Sequence, residues 1–263
     1  MQLDNVKKTF GTKTALAIDN FKIEGGEILG LVGNNGAGKT TMFRIILDLL
    51  KPDLGEARID NMVTCDTEDW KAFTGAYLDS GFLIDYLTPE EYFSFVGKVN
   101  GLSKDDIEQR LHRFDDLMNG EVLGQNKLIR NLSAGNKQKV GIIAAMLHNP
   151  QLIILDEPFN FLDPTSQYAV KYILEEYNKE TGATILVSSH NLSHTLDICT
   201  RVTLLEHGEI IKDYSKDYEN LTAELEEYFE RGLHHDEKSA ESTENPVEEV
   251  VEEKPTETQS EEA

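Results

Sequence analysis

The sequence GNNGAGKT occupies residues 33–40 and directly follows the apolar run ILGLV at residues 28–32. The run predicts a buried strand, and the loop after it has the pattern Gly-x-x-x-x-Gly-Lys-Thr. In this pattern the glycines allow a tight turn that directs successive backbone N–H groups inward. The stretch therefore predicts a binding site for the phosphates of a nucleotide, formed by Gly33, Asn34, Asn35, Gly36, Ala37, Gly38, Lys39, Thr40 and Thr41.

Two side chains of this loop have an expected chemistry. Lys39 is placed to reach the β- and γ-phosphates, and the Thr40 hydroxyl is placed to bind Mg²⁺, so ATP and Mg²⁺ are the expected cofactors. From Gly38 onward, apolar residues recur at helical spacing as far as Leu50. A helix that starts here would direct its dipole and its free N–H groups at the bound anion. A glycine-rich turn that matches by chance is the alternative, but strand, loop and helix all occur where phosphate binding needs them.

The overall composition limits the possible classes of function. A chain of 263 residues can form one large domain or two modest ones. No stretch approaches the roughly 20 apolar residues that span a bilayer, and the first residues lack the apolar segment of a secretory signal, so we expect no direct membrane insertion. The net charge of −23 argues against a broad basic surface for nucleic acid. Cys65 and Cys199 lack metal-ligand spacing, which predicts reduced thiols in a cytosolic protein.

The last part of the chain has a different composition. Residues 232–263 are rich in glutamate and contain few apolar side chains. Such a segment buries too little apolar surface to offset the entropy of ordering, so we expect a disordered acidic tail after a globular domain at residues 1–231. The composition leaves open whether this tail only keeps the chain solvated or contacts a basic partner.

Two further apolar runs lead into polar residues of the kind that phosphate chemistry needs. Residues 152–157 read LIILDE, so a buried strand would deliver Asp156 and Glu157 at its carboxyl end, where open α/β sheets bind ligands. We expect Asp156 to hold Mg²⁺ and Glu157 to orient and deprotonate the attacking water. A second run, ILV at residues 185–187, is followed by His190, which is placed for a contact with the γ-phosphate or the water.

The segment NLSAGN at residues 131–136 predicts a second helix start. Ser133 is a suitable N-cap, Ala134 and Gly135 offer backbone N–H groups, and residues with helical periodicity follow. Taken alone, the segment is a capped helix. The phosphate loop already has a helix start at Gly38, and one phosphate site needs only one. The segment is therefore a second potential anion site.

The order of these motifs, from the phosphate loop through LSAGN and LIILDEP to FLDP and SSH, resembles that of the ATP-binding cassette (ABC) ATPases, the nucleotide-binding subunits of ABC transporters. The resemblance covers about residues 2–215 and is closest to the bacterial ABC-2-type ATPases of bacitracin and lantibiotic efflux. In that family two cassettes pair head to tail, and each ATP lies between one subunit's phosphate loop and the other's signature motif. The resemblance thus implies a homodimer, or a heterodimer with a related ATPase, in which Ser133, Ala134, Gly135, Asn136 and Asp163 act on the partner's site.

The resemblance also implies roles for two more residues. Phe10 lies where the family places an aromatic ring against adenine. Asp79 lies in the loop that usually carries glutamine near Mg²⁺ and contacts the permease, which implies a metal role for this acid. The chain departs from the family at three places: LSAGN replaces LSGGQ, Asp79 is shorter and charged, and Phe159-Asn160-Phe161 replaces small residues. None of these departures removes a catalytic group.

The expected fold follows from the patterns and the resemblance together. We predict an α/β fold with a P-loop NTPase core, whose mixed sheet is mainly parallel, an antiparallel N-terminal β edge and a helical subdomain. The ABC ATPase domain would span residues 1–231, with the helical subdomain at about residues 87–149 and a final helix at residues 218–231. The helical subdomain would present the signature motif and touch the permease.

The expected function is to bind and hydrolyse ATP and so to power a separate integral-membrane permease, with export favoured over import. The chain would then be cytoplasmic and peripheral on the inner face of the cell membrane. Two alternatives remain open at this point. One is a soluble ABC-type ATPase that is not coupled to transport, for example in iron–sulfur assembly, and the other is a module in which ATP only switches dimerisation.

Overall fold

The structure is a computed structural model, and it describes residues 1–216, 218–225 and 227–228. Within these residues the backbone forms ten strands: β1 (Gln2–Phe10), β2 (Lys13–Lys22), β3 (Ile28–Val32), β4 (Leu54–Ile59), β5 (Met62–Val63), β6 (Thr74–Tyr77), β7 (Leu152–Leu155), β8 (Thr184–Ser189), β9 (Arg201–Glu206) and β10 (Glu209–Ser215). The α-helices of the first 221 residues are α1 (Lys39–Ile46), α2 (Pro89–Val99), α3 (Lys104–Leu111), α4 (Asp115–Met118), α5 (Ala134–Met146), α6 (Pro164–Thr181) and α7 (Leu192–Ile198). Short 3₁₀ turns lie at Asp69–Phe73, Ser80–Phe82, His112–Phe114 and Ile129–Asn131.

By its internal contacts the chain divides into two units. Met1–Leu221 carries all of these elements, and Thr222–Ala263 is described only at residues 222–225 and 227–228, which are helical. The helix expected at residues 218–231 thus begins at residue 221, and its last three residues lie outside the described part. The expected acidic tail at residues 232–263 also lies outside it.

A six-stranded sheet places the ends of the predicted strands side by side. Its order is β10-β9-β3-β8-β7-β6, and every neighbouring pair is parallel except β10 and β9. All residues of β3 and β7 are buried, as expected for strands whose two faces are both covered. The carboxyl ends of β3, β7 and β8 meet at one edge, which brings the phosphate loop, Asp156 and His190 to the same side of the sheet.

The N-terminal strands are antiparallel, as predicted, but they form a sheet of their own. Its order is β2-β1-β4-β5, and all its pairs are antiparallel. One cluster of buried apolar side chains contains residues of both sheets and of α1, among them Leu3, Phe21, Leu31, Phe43 and Leu186. The predicted α/β fold with a mainly parallel sheet, antiparallel strands and a helical part is therefore confirmed.

The helix after the phosphate loop is shorter than its apolar pattern predicts, so the expectation that it continues to Leu50 is wrong. α1 ends at Ile46 because Asp48 takes a left-handed conformation with φ of 53°. The Leu49 N–H then donates to the Arg44 carbonyl at 2.8 Å, and the Asp48 N–H to the Ile45 carbonyl at 3.1 Å. This pair of bonds is the Schellman motif, which satisfies the last carbonyls of a helix and stops it.

Capping residues start the helices between β6 and β7. Thr88 and Glu91 form a capping box at the start of α2, and Ser103 and Asp106 form another at α3.

Among the described residues no helix is both long and apolar enough to cross a membrane.

Glycine allows α5 to lie directly on β6. A Cβ atom on Gly75 would lie 1.8 Å from the Ala145 carbonyl oxygen, and one on Gly141 would lie 2.0 Å from the Tyr77 ring. Any larger residue at either position would push helix and strand apart. The helix that begins at the signature motif is thus held at a fixed position against the parallel sheet.

Candidate nucleotide site

The phosphate loop connects β3 to α1, and its shape depends on glycine. A Cβ atom on Gly33 would lie 2.2 Å from the Leu205 carbonyl oxygen, so no other residue fits there. Gly38 is the N-cap of α1, with φ of 114° and no side chain to bond the first N–H groups of the helix. Those N–H groups have no intrahelical partner, so the start of α1 can accept an anion, as the sequence predicts.

Lys39 lies inside this loop rather than in solvent. Its Nζ atom donates to the Gly33 carbonyl at 2.6 Å and to the Asn34 carbonyl at 3.4 Å. The same atom lies 3.4 Å from Oε1 of Glu157. The ammonium group is thus directed at the space between the loop and the carboxyl end of β7.

Asp156 follows β7 and connects the loop to β8. Its Oδ2 atom accepts from the Thr40 hydroxyl at 2.5 Å, and its Oδ1 atom accepts from the Ser188 hydroxyl. Burial raises the pKa of the Asp156 carboxyl, and the hydrogen bonds from Ser188 and Thr40 oppose that change. The Thr40 and Asp156 oxygens are the hard ligands that Mg²⁺ prefers, and they lie next to each other.

Glu157 is held through both its backbone and its side chain. Its φ of 49° is left-handed, which is uncommon for a residue with a Cβ atom. Its N–H donates to the Ser188 hydroxyl at 2.8 Å, and its carbonyl accepts from the Gln138 side chain at 3.0 Å. Its Oε2 atom lies 2.8 Å from Nδ1 of His190. The structure therefore brings Glu157, His190 and Lys39 together, as the sequence led us to expect.

Two of these partners were not identified from the sequence. Ser188 lies next to Asp156 because Leu155 pairs with Val187 in the sheet, and its hydroxyl is a buried polar group directly after the apolar run at residues 185–187. Gln138 lies between two lysines of α5, just before its apolar part, and has only 6% of its surface exposed. A polar side chain in a buried position indicates that it has a hydrogen-bond partner, but the sequence does not show which group that partner is.

The signature helix begins as predicted, with its first residues exposed. The Ser133 hydroxyl accepts from the Asn136 N–H at 3.1 Å, and the Asn136 amide donates to the Glu121 carbonyl at 3.4 Å. Ser133 and Ala134 are exposed, and a Cβ atom on Gly135 would lie 2.7 Å from the Phe161 carbonyl oxygen. The signature motif and the segment before α6 therefore touch within one chain.

Asp163 caps α6 with its carboxylate. Oδ1 accepts from the Ser166 N–H at 3.0 Å, and Oδ2 accepts from the Ser166 hydroxyl at 2.6 Å. The residue itself is exposed at the helix start. Its carboxylate is thus used within the chain, while its backbone remains accessible to a partner.

Asp79 and Phe10 take no part in the contacts described so far. Asp79 Oδ1 accepts from the Gly81 N–H at 2.7 Å, and its Oδ2 lies 3.7 Å from the Arg44 guanidinium. Both oxygens of Asp79 are therefore engaged by groups other than Thr40. Phe10 ends β1 with 53% of its surface exposed, so its ring has a face for a stacking partner.

One cavity joins several of these motifs. It has a volume of about 390 Å³ and is lined by residues that include Asp79, Ala134, Gln138, Asp156, Glu157 and Phe161. The two acids at the end of β7, the signature helix and the segment before α6 thus share one space within the chain.

Comparison with known proteins places this site in a family. Residues 16–160 match the model of the ABC transporter family. The chain is 31% identical over 224 residues to the bacitracin transport ATP-binding protein of Enterococcus faecalis, covering 81% of this chain and 68% of that protein. It is 33% identical over 221 residues to a methionine import ATP-binding protein of Listeria monocytogenes, covering 81% of this chain and 65% of that protein.

A solved structure agrees with these matches. The dimer of an ATP-binding cassette in a post-hydrolysis state, bound to ADP and Pi, superimposes with a TM-score of 0.72 and 29% identity, covering 82% of this chain and 98% of that one. It has the fold described above, and its bound products are those of ATP hydrolysis. The chain therefore belongs to the ABC transporter family and is an ATP-binding subunit with ATPase activity.

Proposed function

We propose that this chain hydrolyses MgATP in a site shared between two cassettes, with Glu157 as the general base, and that closure of the pair drives a separate membrane permease. The observation that carries the proposal is the position of the Glu157 carboxylate. One of its oxygens lies 2.8 Å from His190 Nδ1 and the other 3.4 Å from Lys39 Nζ. A base is thus placed beside the cation that would hold the γ-phosphate.

Nucleotide binding would use the loop and the exposed aromatic ring. The N–H groups at the start of α1 and the Lys39 ammonium would hold the β- and γ-phosphates, and the phosphate oxygens would replace the Glu157 carboxylate at Lys39. Release of Glu157 from Lys39 would leave its carboxylate paired with His190 and free to accept a proton. Phe10 would stack against adenine.

The residues present fit a magnesium ion. Thr40 Oγ1 and Asp156 Oδ2 are two oxygen atoms of the kind that bind Mg²⁺, and they lie 2.5 Å apart. In phosphoryl-transfer sites Mg²⁺ is commonly held by one or two protein oxygens together with substrate phosphates. When bound there, the ion would neutralise charge on the phosphates. Asp79 would join this set only after leaving Arg44.

The proton of the attacking water would pass to the Glu157 carboxylate as the water oxygen attacks the γ-phosphorus, while the bond from the γ-phosphorus to the β–γ bridging oxygen breaks and ADP leaves. His190 would keep that carboxylate oriented, because its ring nitrogen and its backbone N–H both face Oε2, at 2.8 and 3.4 Å. The Ser188 hydroxyl would keep Asp156 and the Glu157 backbone at fixed positions on the edge of the sheet.

A second cassette would complete the site. The Ser133 hydroxyl oxygen accepts a hydrogen bond from the Asn136 N–H, so the hydroxyl proton remains able to bond an anion. The N–H groups of Ala134 and Gly135 belong to the first turn of α5 and have no intrahelical partner. The dimer of the solved cassette supports a pair of this chain, or of this chain with a related ATPase. The family resemblance implies that the two cassettes pair head to tail.

A groove beside the helical part is the proposed permease contact. It has a volume of about 230 Å³ and is lined by residues that include Phe82, Leu83, Tyr92 and Val96. Nearby apolar side chains are unusually exposed, with Phe95 at 48% and Val99 at 71%. Exposed apolar patches of this kind mark interaction sites, and the transport names of the relatives support a membrane permease as the occupant. The chain would then lie on the cytoplasmic face of the membrane.

Export is the proposed direction. The two relatives above, named for bacitracin transport and for methionine import, are nearly equally similar to this chain. The resemblance of the motif order to the bacitracin and lantibiotic efflux ATPases supports export. A transport assay in vesicles that contain the permease decides this point, since ATP-driven movement of cargo toward the ATP side would reject export.

The variant Glu157→Gln tests the catalytic part. It keeps the shape of the side chain but cannot accept a proton, so we expect hydrolysis to fall by at least about 100-fold while ATP binding remains and the dimer accumulates. Glu24→Gln, at an exposed site in the turn after β2, is the matched control. Unchanged turnover of Glu157→Gln in the presence of the permease would reject Glu157 as the base.

Co-purification tests the partner. Recovery of the full chain with a hydrophobic multi-span protein, whose presence raises ATP turnover, is the expected result. Recovery with soluble scaffold proteins instead would favour the soluble ATPase of iron–sulfur assembly type.

A further inference from the structure

A buried chain of hydrogen bonds connects β6 to Glu157 through the signature helix. The Tyr77 hydroxyl donates to Gln138 Oε1 at 3.2 Å, and Gln138 Nε2 donates to the Glu157 carbonyl at 3.0 Å. Tyr77 and Gln138 are both buried, with 4% and 6% of their surfaces exposed. From these contacts we propose that Gln138 is a positioning residue for Glu157, and that it ties the orientation of the general base to the position of α5.

The backbone of Glu157 needs such support. Its φ of 49° lies in a region that residues with a Cβ atom seldom occupy, and they remain there only when surrounding contacts fix them. Ser188 holds the N–H of Glu157 at 2.8 Å, and Gln138 holds its carbonyl. If the Gln138 bond is lost, the peptide after Glu157 is free to turn, and the carboxylate moves away from His190.

The direction of the Gln138 amide is determined by the Glu157 carbonyl. A backbone carbonyl can only accept a hydrogen bond, so the NH₂ group of Gln138 must point toward it, and the amide oxygen is left to accept from the Tyr77 hydroxyl. Burial raises the pKa of Tyr77, which keeps its hydroxyl protonated. Gly141, one turn after Gln138, lets the Tyr77 ring lie directly against α5.

The helix that carries Gln138 also carries the signature motif. Ala134 and Gly135 begin α5, and Gln138 lies in its second turn. In the proposed function, which this inference requires, the start of α5 binds the partner's nucleotide, whereas Glu157 acts on the chain's own nucleotide. A shift of α5 on binding at one site would therefore change the orientation of the base at the other, through a contact within one chain.

The decisive variant is Gln138→Leu in the full chain, assayed with its permease. A misplaced base slows the chemical step without weakening nucleotide binding, so we expect kcat to fall about 10- to 100-fold. The KM for ATP should stay within about twofold of the unmodified chain. A parallel rise in KM, or an unchanged kcat, overturns the positioning role.

Tyr77→Phe is the matched control, because it removes one hydroxyl of the same network and leaves the donor to Glu157 in place. It should keep kcat within about threefold. Gln138→Leu leaves the buried Tyr77 hydroxyl without a partner and could lose stability for that reason. The double variant Tyr77→Phe/Gln138→Leu removes both polar groups together, and it should unfold at the temperature of Tyr77→Phe while keeping the low kcat of Gln138→Leu. A kcat for the double variant equal to that of Tyr77→Phe contradicts the proposal.

Combination with Glu157→Gln separates the positioning role from the assignment of the base. If Gln138 acts through Glu157, adding Gln138→Leu to Glu157→Gln should lower kcat no further. If the fall in kcat of the double variant equals the product of the two single falls, the role of Gln138 is overturned, but Glu157 remains the base. A Glu157→Gln variant with full activity instead rejects the proposed function itself, whatever Gln138→Leu does.

Discussion

The Nδ1 atom of His190 lies 2.8 Å from the Oε2 atom of Glu157, although the two residues follow different strands of the parallel sheet. The pair forms because β7 and β8 are neighbouring parallel strands, so the residues that follow them lie at the same edge of the sheet. The ring thus meets one carboxylate oxygen of the acid, and Lys39 approaches the other at 3.4 Å.

His190→Ala should remove the group that orients the Glu157 carboxylate. We expect kcat to fall by about 100-fold, as is usual when a group that assists proton transfer is lost, with little change in ATP affinity. Steady-state hydrolysis and equilibrium binding of a fluorescent ATP analogue measure the two effects. His112→Ala, at an exposed histidine of the helical part, is the control and should leave both unchanged. A loss of ATP affinity as large as the loss of turnover would mean that His190 binds phosphate rather than orienting the base.

Lys39→Ala should weaken nucleotide binding itself. The ammonium lies inside the phosphate loop, 2.6 Å from the Gly33 carbonyl, and its loss removes the cation that would face the β- and γ-phosphates. We expect the Kd for ATP to rise at least about tenfold, whereas binding of adenosine should change little. Titration calorimetry with both ligands makes the comparison. Tight ATP binding by this variant would contradict the role given to the lysine.

Phe161→Gly should stabilise the chain. Phe161 has φ of 64° and 74% of its surface exposed, so it bears left-handed strain without burying its ring. Relief of that strain is worth about 1 kcal/mol, which raises Tm by roughly 2–4 °C in a domain of this size. Thermal unfolding followed by circular dichroism gives the measurement.

Phe161→Ala serves as the comparison, because it removes the ring but keeps the Cβ atom that causes the strain. The alanine variant should not gain stability. An equal gain in both variants would attribute the effect to the exposed ring instead of the backbone.

Gly141→Ala should destabilise the packing of α5 on β6. The added methyl would lie 2.0 Å from the Tyr77 ring, and overpacking of this kind costs about 1–3 kcal/mol. Urea unfolding measures the change, and Gly25→Ala, at a site with open space around it, should shift the free energy of unfolding by less than about 0.5 kcal/mol. Equal stability of the Gly141 and Gly25 variants would show that helix and strand can separate at no cost.

Local sequence patterns predicted much of the site. The phosphate loop, the acids after β7, the histidine after β8 and the cap at Ser133 are each encoded by residues that are adjacent in the chain. Backbone turns, strand ends and helix starts depend mainly on such neighbours, so they can be recognised from the sequence alone. The family resemblance rests on the order of these same segments.

The end of α1 shows where local patterns fail. Apolar residues at helical spacing continue to Leu50, yet the helix stops at Ile46 and leaves Leu49 with 52% of its surface exposed. Periodicity reports which residues are apolar, whereas the left-handed Asp48 and the two Schellman bonds decide where the backbone turns.

The sequence by itself determined that a nucleotide site exists, which residues contact phosphate and metal in our proposal, and that the fold is α/β with a mainly parallel sheet. Only the tertiary structure decided what holds the general base. Gln138 and Ser188 reach the backbone of Glu157 from 19 and 31 residues away in the chain. Their approach depends on the register of β7 with β8 and on the close contact of α5 with β6, and both result from the packing of distant segments rather than from any local pattern.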